Sequence, residues 1–172
     1  MPMATISKSE RPKLQIPLQP VDYILEVLAF LGLIFLFGSS AFYYSQLPEQ
    51  IPTHFGPNGA PDGFGSKTTL WLLPVIGLLI YSFMTVINRR PEGFNYLVKI
   101  TPENAERQYT MATRMLRRLK TFVVLLFAYL VWRTIGIANE EAHGLGWWLL
   151  PVVLGATMGT TFFYIFRSTA RK

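Results

Sequence analysis

The chain predicts an all-α membrane protein of four transmembrane helices with both termini inside, and three observations predict that class. Four apolar runs each reach the length of roughly 18 residues or more that a helix needs to cross a bilayer. Lysine and arginine gather on one side of those runs, as the positive-inside tendency requires, and the four tryptophans, Trp71, Trp132, Trp147 and Trp148, fall near the opposite boundary, where their amphipathic rings favour the membrane interface.

Taken in order, residues 1–21 form a basic cytoplasmic tail carrying Lys8, Arg11 and Lys13. One membrane domain, 22–168, follows, with spans at about 22–45, 69–88, 120–138 and 145–166. An outer loop covers 46–68, a cytoplasmic loop 89–119, a short outer loop Asn139 to Gly144, and a cytoplasmic tail 169–172. Inside a bilayer the backbone must satisfy its own hydrogen bonds, so each span is read as a helix. A cleaved signal peptide is the competing account of the first run, with Ser39, Ser40 and Ala41 at cleavage-like spacing. The length of the run and the acids Asp22 and Glu26 within it favour a retained helix.

The second and fourth spans open alike, on Trp71-Leu72-Leu73-Pro74-Val75 and Trp148-Leu149-Leu150-Pro151-Val152. Proline fits a first helical turn because its missing N–H has no intrahelical partner there. The repeat is read as two helices solving the same entry problem; a duplicated hairpin of the kind found in some transporters is the alternative.

The cytoplasmic loop carries Arg89, Arg90, Lys99, Arg107, Arg114, Arg117 and Arg118, and ends on Lys120. Within it Thr101 is read as an N-cap, Pro102 as the first helical residue, and Glu103 and Glu106 as favourable at the positive end of the helix dipole. Ala105, Tyr109, Ala112, Met115, Leu116 and Leu119 recur at helical spacing, so an amphipathic helix is expected to lead straight into the third span. Its arginines are placed against lipid phosphates, or its apolar stripe against the other helices; a docking site for a cytosolic partner is the alternative.

The net charge of +6 would suit a nucleic-acid binder as a bulk number, but the charges flank the spans on one side, which suits anionic lipid and excludes a nucleic-acid footprint. Without cysteine the chain has no disulfide, thiolate nucleophile or Cys-ligated metal. No nucleophile–base pair, phosphate-cradling glycine loop or paired catalytic carboxylates stands out, so we read a non-enzyme without a cofactor.

Two charges fall inside spans, where charge is costly and marks a candidate functional residue. Glu26 sits about one turn into the first span and is expected to reach the interface or to meet Arg89, Arg90 or the amphipathic helix. Arg133 lies about four turns into the third span, with Glu49, Asp62, Glu140 and Glu141 as candidate partners and snorkelling as the alternative. At 1.5 Å per residue the two are too far apart to pair with each other.

The outer loop carries the strongest chemical hints. Pro48 and Pro52 stiffen its entry, Gly56, Gly59, Gly63 and Gly65 permit tight turns, and Pro57-Asn58-Gly59 and Pro61-Asp62-Gly63 read as proline-led turns. The loop is expected to be ordered. His54 and Phe55 set a titratable ring beside an apolar one; His54 is expected to be packed and hydrogen-bonded. A zinc or copper site with Asp62, Glu140, Glu141 and His143 is the alternative, but no metal-ligand spacing supports it, so no metal is assigned.

Leu47-Pro48, Ile51-Pro52, His54-Phe55, Gly59, Pro61-Asp62 and Gly65-Ser66-Lys67 resemble the extracytoplasmic signature of the bacterial membrane module of unknown function at the start of SdpI-like immunity proteins. The resemblance covers about the first half of the chain, and Asn95 to Tyr109 is similar to uncharacterised members carrying the module. The C-terminal membrane region of the immunity proteins is not recognised. The resemblance implies an inner-membrane protein that protects its cell from a secreted toxin peptide, or in one signalling branch captures a repressor. The expected function is therefore recognition of a toxin peptide or envelope component by Pro48, Ile51, Pro52, His54, Phe55, Gly59, Asp62, Gly65 and Lys67. His54, Asp62 and Lys67 supply polar selectivity, and Phe55, Phe64 and the tryptophans apolar contact. A structural or assembly subunit, paired with another membrane protein or a second copy, is the alternative; a small transporter using Glu26 or Arg133 is a third reading.

Overall fold

The structure, a computed structural model, describes residues 8–170; the first seven residues of the expected N-terminal tail, and Arg171 and Lys172 of the C-terminal one, lie outside the described residues. Helices α1 (Pro20–Tyr43), α2 (Leu72–Ile87), α3 (Ala105–Ala138) and α4 (Leu149–Thr169) make up most of it, and a hairpin of β1 (Gln50–Phe55) and β2 (Pro61–Ser66) joins α1 to α2. Counting the 3-10 turn Lys67–Trp71 with α2, all four helices are long and apolar enough to cross a membrane. At 1.5 Å per residue α1 is about 36 Å long and α3 about 51 Å, so α3 exceeds the roughly 30 Å hydrocarbon layer by several turns. Those extra turns are the expected amphipathic helix, continuous with the third span.

The core is the seam between α1 and α3, which run parallel. Ala29, Leu33 and Leu36 of α1 face Val124, Ala128 and Val131 of α3 in one buried stripe, recurring every three or four residues on both helices. Gly32 makes the close approach: a Cβ there would stand 2.9 Å from Val124 Cγ1. Further toward the N-termini Thr121 Oγ1 donates to Leu25 O at 3.0 Å. Helix α2 packs on the same pair through Gly77, whose missing side chain leaves room for Leu36 and Phe127. Helix α4 contributes little: among its residues only Ser168 is buried.

The fold differs from an all-α reading at the segment between α1 and α2, expected as the outer loop, which carries a two-stranded antiparallel sheet. Gln50 pairs with Ser66, Ile51 with Gly65, Pro52 with Phe64, His54 with Gly63 and Phe55 with Pro61, with irregularities on either side of His54. The Pro57-Asn58-Gly59 turn forms as expected, closed by Gly59 N–H to Gly56 O (2.8 Å) and Ala60 N–H to Asn58 Oδ1 (3.0 Å). Pro61-Asp62-Gly63 is not a turn but the first half of β2. Its glycines serve cross-strand packing instead: a Cβ on Gly63 would stand 3.0 Å from His54 Cβ, and one on Gly65 3.0 Å from Thr53 Cγ2. Of the four loop glycines only Gly59 takes positive φ, at 79°.

Helix ends shift for local reasons. Asn104 Oδ1 accepts from Thr101 N–H at 2.9 Å and Asn104 Nδ2 donates to Lys99 O, a side-chain competition that holds residues 102–104 in a turn. The helix therefore starts at Ala105 rather than at Pro102. Thr101 instead bonds the side chain of the exposed Glu103, whose carboxyl is held below its usual range chiefly by that bond. Helix α4 starts at Leu149, four residues later than expected, because Leu145 is buried against the hairpin tip. Both Trp71 and Trp148 are N-caps with helical backbone angles, so the two similar openings adopt one geometry.

The N-terminal segment packs rather than hanging free. Arg11 Nη1 donates to Glu92 O (3.0 Å) and Phe94 O (2.7 Å), and its guanidinium lies 5.6 Å from the centre of the Tyr96 ring. Ile16 and Tyr96 join Ile100, Ala105 and Tyr109 in a second small core. Burial first, and then neighbouring Tyr164 and Tyr109, push the Tyr96 phenol well above its ordinary value, against the opposing pull of Arg11.

Candidate functional site

The hairpin is docked on the loop between α3 and α4 by backbone. Gly59 O accepts from Leu145 N–H at 2.7 Å, and Tyr129 of α3 donates its hydroxyl to Leu145 O at 2.6 Å. The contact depends on missing side chains. A Cβ on Gly144 would stand 2.5 Å from Gly59 O, and one on Gly59 would stand 3.0 Å from Gly146 O. Gly59 and Gly146 both hold positive φ, so β-carbon-free residues meet face to face where two turns cross.

Arg133 belongs to this docking. Its Nε donates to Gly144 O at 2.9 Å, its Nη2 donates to the same oxygen, and its guanidinium lies 5.6 Å from the Trp132 ring. The expected carboxylate partner is thus replaced by a carbonyl. The chain after α3 turns back through Glu140, at φ 63°, and brings that carbonyl within reach of the guanidinium.

Beneath the docked hairpin lies an open cleft of about 500 Å3. Leu126 and Leu130 of α3 and Leu149, Leu150 and Val153 of α4 line its helical side; His54, Phe55, Gly59 and Asp62 line its hairpin side. Its walls are mainly apolar, with one polar pair, His54 Nδ1 hydrogen-bonded to Asp62 Oδ1. A mostly apolar concavity with a few convergent polar groups is the usual form of a small-ligand or peptide-anchor site. The pair was not legible as such: His54 was expected to be packed, yet it is exposed, bonded across the strands to a residue read as a turn acid.

The other loop residues singled out by sequence serve the frame. Ile51 is buried in the main core and Pro52 beside it. Lys67 closes the base of the hairpin, with Nζ 2.9 Å from Glu49 Oε1 and 5.5 Å from the Tyr44 ring, so it lies away from the cleft it was expected to serve. Pro48 is exposed at the entry, and Gly65 lies against Thr53. Glu140, Glu141 and His143 do not join His54 and Asp62; among the described residues no three His, Asp or Glu side chains gather as a metal site would need.

At the opposite end of the α1–α3 seam, Glu26 meets Arg117 of the amphipathic helix, one of the partners expected for it, and also Lys120 at the start of the third apolar run, which was not expected. Lys120 Nζ donates to Glu26 Oε2 at 2.6 Å and to Thr85 Oγ1 of α2 at 2.9 Å, and lies 4.6 Å from the Tyr81 ring. Arg117 Nε is 3.3 Å from Glu26 Oε1, and Asp22 takes Arg114 Nε at 3.4 Å and Arg117 Nη1 at 3.6 Å. Sequence reasoning missed Asp22 and Lys120 as buried partners. The signal was available: acids at 22 and 26, one helical turn apart, match bases at 117 and 120 on the parallel helix.

Comparison with known proteins singles out the hairpin and its flanks. Part of the chain is similar to an uncharacterized protein of Archaeoglobus fulgidus, 45% identical over 60 residues, with 30% of this chain and 33% of that protein covered. The match thus spans about a third of the relative's length. No solved structure matches the chain. Residues 31–78, from the middle of α1 through the hairpin into α2, match the family described as Domain of unknown function (DUF1648).

Proposed function

We propose that this multi-pass membrane protein lies in the inner membrane with both termini cytoplasmic, and that its hairpin recognises a toxin peptide or envelope component from the extracytoplasmic side. The role is that of an SdpI-like immunity or sensing protein. The observation that carries this reading is the apolar cleft under the hairpin with the His54–Asp62 pair on its wall. A peptide side chain or acyl segment entering it would be held by apolar burial, at about 25 cal/mol per Å2 of surface removed from water. The imidazole and carboxylate would select the polar group that follows. The cysteine-free background supplies the test. Asn58→Cys, at the hairpin turn, is labelled from outside intact cells with a photo-crosslinker and the adducts are identified by mass. Efficient labelling with a discrete secreted peptide in the adduct is the expected result; failure of an impermeant reagent to label Asn58→Cys would overturn the orientation. Alanine at His54, Phe55 and Asp62 that leaves every toxin or stress phenotype unchanged would overturn the recognition role.

A second reading, an assembly subunit of a larger membrane complex or homo-oligomer, is favoured by α4. Its exposed apolar side chains run the length of the helix, from Leu150 through Leu154, Met158 and Phe162 to Phe166. A stoichiometric membrane protein in the Asn58→Cys adduct would select it.

A further inference from the structure

The end of the molecule opposite the hairpin carries a feature that the recognition role does not use. Between α3 and α4 lies a small cavity of about 110 Å3 lined by three arginines, Arg114, Arg118 and Arg167, together with Tyr164. No carboxylate lines it. Asp22 lies 3.4 Å from Arg114 Nε. Arg118 and Arg167 are exposed, and Arg167 stacks over Phe163 at 5.5 Å. Three arginine side chains around one cavity bring the charge for a phosphate, which arginine binds through paired N–H donors.

We propose that this cavity binds the phosphate of an anionic phospholipid. The lipid, rather than a soluble phosphate, is the ligand the surroundings fit. Met111, Met115 and Phe163 share the lining with the arginines, and the exposed Phe162, Phe163 and Phe166 continue it as an apolar surface along α4. A headgroup in the cavity would therefore lay its acyl chains on side chains that no other part of the protein covers. Such a lipid would also tie α4, the least buried helix, to α3.

The test uses the full chain in detergent with added dioleoyl phosphatidylglycerol, dioleoyl phosphatidylcholine or inorganic phosphate. Retained lipid is read by native mass spectrometry, and the unfolding temperature is read in parallel. One retained phosphatidylglycerol and a raised unfolding temperature are expected, with neither produced by phosphatidylcholine or inorganic phosphate. Arg118→Gln with Arg167→Gln should weaken retention by roughly 30-fold, about fivefold per guanidinium. The unfolding temperature without lipid should not move, because both side chains are exposed. Equal retention by the double variant, or equal stabilisation by phosphatidylcholine, overturns the proposal. Stabilisation by inorganic phosphate alone overturns the lipid and leaves a soluble anion as the ligand.

Discussion

The two ends of the α1–α3 seam are held by opposite means. At the hairpin end the contacts converge on backbone: Gly59 O with Leu145 N–H, the Tyr129 and Arg133 side chains on the carbonyls of Leu145 and Gly144, and glycines at 59, 144 and 146 where a side chain would collide. At the basic end they are charge to charge: Asp22 and Glu26 against Arg114, Arg117 and Lys120. The difference teaches what each end tolerates. A backbone lock fails when an atom is added, whereas a buried charge cluster fails when one is removed.

The largest break is expected at the basic end. Lys120 is 1% exposed, so Lys120→Met strands Glu26 and Thr85. Removing one partner of a buried pair costs about 3 to 5 kcal/mol, and Arg117, still near Glu26, keeps the loss at the lower value, about 3 kcal/mol. Denaturant unfolding in mixed micelles should show it, and Glu26→Gln added to Lys120→Met should recover part of the loss. No recovery would mean that the two residues act independently.

At the hairpin end, Gly144→Ala drives a Cβ into Gly59 O, a backbone atom that cannot rotate away. About 2 kcal/mol is expected, in the range of overpacking costs. The loss should be local: amide exchange at residues 50–66 rises while the α1–α3 seam stays protected. Uniform loss of protection would show that the two ends unfold as one unit.

A smaller effect isolates one bond of the lock. Tyr129→Phe removes the donor to Leu145 O and should cost about 1 kcal/mol, read in the same unfolding experiment. An unchanged midpoint would assign the docking to the Gly59–Leu145 bond and Arg133. In the opposite direction, Glu140 sits at positive φ, where a residue with a Cβ is strained. Glu140→Gly should therefore raise stability by up to about 1 kcal/mol, and a loss instead would show that the carboxylate has a role outside the turn.

The last contrast is with pH. The Tyr96 phenol is raised above its ordinary value mainly by burial, so the folded state keeps a proton that the unfolded chain releases near pH 10. Its contribution is fully present below about pH 10 and is lost as pH rises from there toward the folded value. Between about pH 10 and 11 the packing of the N-terminal segment on Tyr96 should loosen. Amide exchange of residues 91–100 checks this, and Tyr96→Phe should flatten the dependence.

Much of this architecture was legible in the chain, and what was not has identifiable causes. Helix α3 was foreseen as an amphipathic start running into a span because its apolar residues keep one period throughout. The strands were not foreseen because Pro52, Gly63 and Gly65 disfavour a strand taken alone; docking on α3 and cross-strand packing supply what propensity withholds. Lys120 opens the third apolar run and reads there as a flank. Only the parallel packing of α1 beside α3 puts Glu26 against it. Arg133 has four carboxylates expected on its side of the membrane and bonds none of them, because the turn at Glu140 delivers Gly144 O first.

The sequence by itself determined the number of apolar helices, the clustering of basic charge at their ends, the turn at Pro57-Asn58-Gly59 and the shared opening of α2 and α4. Each of these depends on residues within a few positions of one another, where length, period and backbone chemistry act directly. Only the tertiary structure decided that the loop is a hairpin, that its tip locks on Gly144 to Gly146, that His54 meets Asp62 beside an apolar cleft, and that three arginines from two helices share one cavity. Those features join residues far apart in the chain, and their geometry is set by helix register and by the space that missing side chains leave.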